Sequence, residues 1–155
     1  MIIAGTVKHI YSATDSGQSL PRPGVEKLEC IEGHGIRGDK FAGVDLEKTV
    51  MIIGQRSYDM AEEAAIRLAP GSLGENILLD FDPHDFIYGT RFQIGDAVLE
   101  ITDDCNMCKH LSQFDPALPK LLMHRRGRYC KILKGGTITA GQIVSLPPNS
   151  QETTV

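Results

Sequence analysis

Two thiols three residues apart, Cys105 and Cys108, with His110 just beyond them, are the residues of this chain best suited to chemistry. A thiolate is a nucleophile, a sulfur carrier and a ligand for soft metals. Two thiols at this spacing are also half of a zinc site, for which His110 would be a third ligand, or a redox dithiol. The opposing reading is that both cysteines are small buried fillers, a frequent fate of free Cys. Cations form the second chemical feature. His124-Arg125-Arg126-Gly127-Arg128 opens the most basic stretch, and no Asp or Glu occurs between Lys120 and Lys134. Arginines grip phosphate through paired N–H donors, and nearby cations favour thiolate over thiol. A third candidate is Gly33 to Gly43, with four glycines beside Arg37 and Lys40. Its backbone N–H groups and cations suit an anion, although it is neither a P-loop nor a dinucleotide fingerprint. Tight turns linking strands are the favoured reading of this segment alone, with Asp39 after Gly38 bonding its own backbone. Glu75-Asn76 opens an apolar run. Holding neighbouring turns by side-chain hydrogen bonds is favoured there over ligand binding. His84 is read as an exposed loop residue.

The elements that must position these groups are mostly strands. Ile2 to Tyr11, Val25 to Ile31, Thr49 to Ile53, Gly71 to Asp80 after its turn, Phe86 to Ile94, Ala97 to Thr102 and Ile143 to Leu146 carry β-branched or alternating apolar residues. Gly95-Asp96 is a tight turn into the strand that leads to Cys105. Gln55 to Leu68 has helical spacing, with Glu63 and Arg67 set for an (i, i+4) pair and Pro70-Gly71 as the stop. Leu111 to Leu122, broken by Pro116 and Pro119, predicts one or two short helical turns. Leu133 to Thr137 carries a hairpin signal. The count favours a mostly β domain, a closed or partly closed barrel with a few short peripheral helices, which also removes exposed strand edges.

The chain has 155 residues, 41% hydrophobic and 23% charged, with net charge −4. It reads as a single domain over 1–146 followed by a disordered tail over 147–155. The charge gives no reason to expect nucleic acid as a partner, and no apolar run approaches the roughly 18 residues that span a bilayer. The first residues lack the features of a signal peptide, so the expectation is a cytoplasmic protein with reduced thiols.

Four segments, GHGIRGDKFAG, APGSLGENILL, FQIGDAVLEIT with a following Cys, and RRGRYCKILKGGTITAGQIVSL, together resemble the MOSC domain, the C-terminal domain of molybdenum cofactor sulfurases. The resemblance runs from about Ile2 to Leu146 and implies a barrel related to that of pyruvate kinase. It implies a cysteine, matched here by Cys108, that carries sulfur or contacts molybdenum. Gly38-Asp39 and Gly74-Glu75-Asn76 match the other common positions, whereas Phe41 stands where many relatives have His and Met107 where Pro is usual. The resemblance implies the molybdenum cofactor, molybdopterin, as ligand. The cofactor-binding residues would be Arg37, Gly38, Asp39, Lys40, Glu75, Asn76, Arg125, Arg126 and Arg128, with the cations and the Gly33 to Gly43 amides holding its phosphate. A cysteine desulfurase or a molybdoenzyme would be the partner. Pyridoxal phosphate belongs to the desulfurase domain of larger sulfurases and is not expected in this chain alone. The alternatives are a non-catalytic cofactor-binding module, or the zinc or dithiol site on Cys105 and Cys108.

Overall fold

The structure is a computed structural model that describes residues 2–14, 20–106 and 109–148, with Lys109 and His110 described by backbone alone. Cys108 and Met107 lie outside the described residues, and so does the expected tail apart from Pro147 and Pro148. Among the described residues the strands are β1 (Ile2–Ile10), β2 (Leu28–Ile31), β3 (Gly35–Ile36), β4 (Val50–Gly54), β5 (Ile77–Leu79), β6 (Arg91–Ile94), β7 (Ala97–Asp104), β8 (Arg128–Lys134), β9 (Gly136–Ile138) and β10 (Ile143–Leu146). The helices are α1 (Gln55–Glu63) and α2 (Leu118–Leu121), and short 3-10 turns lie at Leu46–Lys48, Pro83–Asp85 and Lys109–Gln113.

Seven strands close a barrel in the order β1-β10-β6-β7-β8-β4-β5, and β5 returns to pair with β1. Only the β4–β5 pair in this ring is parallel. A three-stranded sheet, β3-β2-β9, packs beside it. Side chains alternate across each strand, so every second residue turns inward. Val50 and Ile52 of β4, Ile77 and Leu79 of β5, Phe92 and Ile94 of β6, Leu99 and Ile101 of β7, and Cys130 and Ile132 of β8 form one packed core. Leu28, Cys30, Ile36 and Ile138 of the second sheet extend it. The barrel interior is therefore full of hydrocarbon, and any site must lie on its outer wall.

That outer wall carries a second apolar cluster under α1, containing Ile53, Ala61, Ile66, Leu73, Leu111 and Leu118. Here the structure shortens the expected helix. α1 stops at Glu63, Ala65 turns left-handed at φ 61°, and the Ile66 N–H returns to the Ala61 carbonyl. The turn buries Ile66, and this burial ends the helix eight residues before Gly71. Arg67 then lies off the helix, and Glu63 pairs with Arg56 at 3.1 Å instead.

Three other expectations change. The run from Phe86 is a strand only from Arg91, after a 3-10 turn at Pro83–Asp85. The second strand begins at Leu28, three residues after Val25. The hairpin signal at Leu133 to Thr137 is a corner between sheets, since β9 pairs with β2. A Cβ at Gly135 would stand 2.8 Å from the Cys30 carbonyl oxygen, and one at Gly136 would stand 2.5 Å from the Ala97 nitrogen. The glycine pair is thus needed where the chain leaves the barrel. By contrast, Gly95 with φ 59° makes the expected tight turn, placing Ile94 opposite Ala97. No helix among the described residues is long and apolar enough to cross a membrane.

Candidate functional site

The β4–β8 register pairs Met51 with Tyr129, flanked by Val50 opposite Cys130 and Ile52 opposite Arg128. Val50, Ile52 and Cys130 face the core, so Met51 and Tyr129 face outward together. They form part of the wall of a cavity of about 530 Å³. Cys105 joins them from the end of β7, where its N–H extends the ladder to the Gly127 carbonyl at 2.9 Å. The Tyr129 hydroxyl donates to Cys105 Sγ at 3.4 Å. Burial first, and then the adjoining thiol, push the Tyr129 hydroxyl well above its ordinary pKa.

Four cations line the same cavity, Arg22, Lys40, Lys48 and Arg126, with Asp45 as the one lining carboxylate among the described residues. Asp45 is engaged locally, accepting the Glu47 N–H as the cap of a 3-10 turn. Lys48 Nζ sits 5.5 Å from the Tyr129 ring centre. Arg22 and Lys40 approach the Phe41 ring at 5.1 and 5.2 Å, within the range of cation–π attraction.

A buried carboxylate organises this side of the cavity. Asp39 accepts from Ser12 Oγ at 2.7 Å, Arg22 Nη1 at 3.2 Å and, through its other oxygen, the Phe41 N–H at 3.1 Å. The last bond is the expected turn bond to its own segment, and Gly38 supplies the positive φ beside it. The rest was not legible locally, because Ser12 and Arg22 come from the loop after β1. Burial pulls the Arg22 guanidinium below its ordinary pKa, while Asp39 and then Glu75 oppose this.

Asn76 lines the cavity and also pins two segments. It accepts the Met51 N–H at 3.0 Å and donates to the Tyr11 carbonyl at 3.1 Å. Glu75 is fully buried and receives the Tyr58 hydroxyl. Arg126 donates to the Leu73 carbonyl at 2.8 Å and is 3% exposed.

The other expected residues lie elsewhere. Arg125 pairs with Asp82, and Arg128 donates to the Pro83 and Phe86 carbonyls and pairs with Asp104. The three arginines have different partners and only Arg126 lines the cavity, so they do not act as one cluster. Arg37 is exposed and paired with Glu29 at 3.1 Å. His84 also departs from expectation: its side chain is buried, and Nδ1 lies 2.8 Å from Asp82 Oδ1. Of the thiol site only Cys105 can be placed. Cys108 and the His110 side chain fall outside the described residues. Arg22, Lys48, Met51 and Tyr129 went unnamed as site residues. Alternation marks Met51 and Tyr129 once the inward face is known, whereas Arg22 carries no sequence signal beyond its flanking prolines.

The sequence model of the MOSC domain matches residues 33–145. The chain belongs to the MOSC domain family. Every strand of this MOSC chain from β3 onward falls inside that range apart from Leu146. No significant match is found among curated proteins. Among solved structures the fold is similar to the YUAD protein from Bacillus subtilis, with TM-score 0.73 and 18% identity, covering 92% of this chain and 97% of that one. It is also similar to YiiM from Escherichia coli, with TM-score 0.69 and 19% identity over 92% of this chain and 69% of that one. YiiM from Geobacillus stearothermophilus gives TM-score 0.69 and 18% identity over 94% and 74%. At such identities the likeness concerns the fold.

Proposed function

We propose that this MOSC protein handles sulfur or the molybdenum cofactor, with a cavity thiol as sulfur carrier or metal ligand and a cationic wall for the anionic end of the pterin. The supporting observation is that a thiol, Cys105, and four cations line one cavity on the outside of the barrel. Cys108, the position matching the family's cysteine, follows three residues later and is the first candidate for the carrier.

The described residues suit such a group. Arg22 Nε is buried and has no hydrogen-bond partner among the described residues. Gly74 leaves open the space beside Arg126: a Cβ there would lie 3.2 Å from its Nη2. When bound, the cofactor supplies a metal centre open to thiolate ligation. Arg22, Lys40, Lys48 and Arg126 would hold its phosphate, and Cys105 or Cys108 would meet the metal.

Sulfur loading needs no other oxidant. The acceptor thiol gives its proton to solvent and its thiolate attacks the outer sulfur of a persulfide on a cysteine desulfurase. The S–S bond of the donor breaks, the donor cysteine leaves as thiolate, and the sulfane sulfur stays on this chain. The partner is accordingly a cysteine desulfurase, or a molybdoenzyme that receives the product. Incubation with a desulfurase and cysteine should add one sulfur atom to the wild-type chain. Cys108→Ser should abolish the adduct, and Cys105→Ser should leave it. Unchanged labelling in both variants would remove these thiols from the role.

The low exposure of Cys105, 4%, favours a second reading, a non-catalytic module that binds the cofactor. On that reading both serine variants retain pterin, while Lys48→Glu loses it.

A further inference from the structure

Glu75 stands behind the cavity wall. Its chain neighbours Gly74 and Asn76 line the cavity, whereas its own side chain is fully buried. The Tyr58 hydroxyl of α1 reaches both carboxylate oxygens, at 2.7 and 3.0 Å. One hydroxyl carries one proton, so a single side-chain donor serves both oxygens, and the remaining hydrogen bond is from the residue's own backbone. Four charged or titratable groups face Glu75 from the elements packed around it. They are Tyr58 on α1, Tyr11 at the end of β1, Arg22 in the loop after β1 and Arg126 before β8. Both guanidinium groups belong to the cavity lining.

We infer that capture of an anion in this cavity is coupled to uptake of a proton from solvent by the Glu75 carboxylate. The inference rests on the reading of the cavity as an anion site. In its ionised form Glu75 sits in the field of Arg22 and Arg126. An anion arriving in the cavity that they line competes for that field and adds a second negative charge beyond Gly74 and Asn76. Protonation removes the repulsion and leaves a neutral carboxyl beside a neutral Tyr58. Burial already holds this carboxyl above its ordinary pKa, against the pull of Tyr58 and the two arginines. Linkage makes the effect reciprocal. The affinity for an anion rises as pH falls, by at most about tenfold per pH unit for one proton.

Sulfate is the suitable probe, because it does not itself titrate between about pH 5.5 and about pH 8. No histidine is among the described lining residues. Calorimetric titration at constant ionic strength should show wild-type affinity climbing several-fold or more from the upper to the lower end of the range. Glu75→Gln, which keeps a hydrogen-bond acceptor for Tyr58, should bind sulfate with a flat profile. Tyr58→Phe removes the donor that favours the ionised carboxylate and should move the climb to higher pH. If Glu75→Gln does not fold, the Tyr58→Phe shift decides the matter, and an unmoved profile overturns the coupling. A flat wild-type profile, or a climb that survives Glu75→Gln, also overturns it while leaving the anion site standing. Absence of sulfate binding at every pH would overturn the anion site and the coupling with it.

Discussion

Asp39 shows how much one buried carboxylate can hold. It fixes Arg22 in the cavity wall, orients the backbone of Phe41 and ties the loop after β1 to the glycine-rich turn. Both members of its ion pair are almost wholly buried, the side chains 6% and 0% exposed. Removing one partner leaves an uncompensated charge. Asp39→Ala should therefore cost about 3–5 kcal/mol in urea unfolding and weaken any anion binding. The thiols divide equally sharply. Burial pushes Cys30 up to about 12 and Cys130 higher still, so neither should react with iodoacetamide in the native protein at neutral pH. Peptide mapping that finds either one labelled before unfolding would contradict the packing described. At this scale the sequence was partly legible. Lys40, Asn76 and Arg126 announce themselves by residue type near glycines or other cations, and Cys105 by its spacing to Cys108. Arg22 and Lys48 do not, because what makes them site residues is the closure of strands and loops distant in the chain. Arg125 and Arg128 look the same as Arg126 in a string of letters, and only the direction of each side chain separates them.

Among the elements, the junction of β4 and α1 is tight. Gly54 ends the strand and caps the helix, and a Cβ there would meet the Phe81 carbonyl oxygen at 2.5 Å and the Asp82 Cα at 2.9 Å. Because both are backbone atoms, relief requires β4 or the segment after β5 to move. Gly54→Ala should cost about 1–3 kcal/mol in thermal or urea unfolding, and a neutral outcome would show that this contact is looser than described. Alternation and glycine turns marked nearly all strands of the barrel. They failed where tertiary burial overrode local pattern: at Ile66, which turns back to bury itself and cuts α1 short, and at Gly135-Gly136, where close backbone approach mimics a hairpin signal.

For the whole molecule, the filled barrel is the source of stability and the outer wall carries the site. Leu99 is fully buried in the main core, and Leu99→Ala should cost about 2–5 kcal/mol while sparing the cavity, which does not include it. Two carboxylates give stability an opposite dependence on pH. Burial would raise the Asp82 carboxyl, but the His84 ring and N–H and then Arg125 outweigh it and hold it below its ordinary value. Its contribution is complete above the unfolded value of about 3.9 and is lost as pH falls through the lower folded value. Glu75 is held above its ordinary value, so its ionisation works against the fold as pH rises past about 4.3. Glu75→Gln should accordingly flatten the neutral side of the stability profile and leave the acid limb. Urea midpoints measured across pH would show this directly.

The central claim is that a thiol and a cationic wall share one cavity built for a sulfur-bearing or metal-bearing pterin. Mass spectrometry of the purified protein, native and then denatured, tests it most directly. The account predicts a native mass that exceeds the chain by a pterin, released on denaturation and lost in Lys48→Glu, or a covalent increase of one sulfur atom that maps to the peptide holding Cys105 and Cys108. A protein of bare chain mass in both states, even after exposure to a cysteine desulfurase with cysteine and to the cofactor, would contradict it.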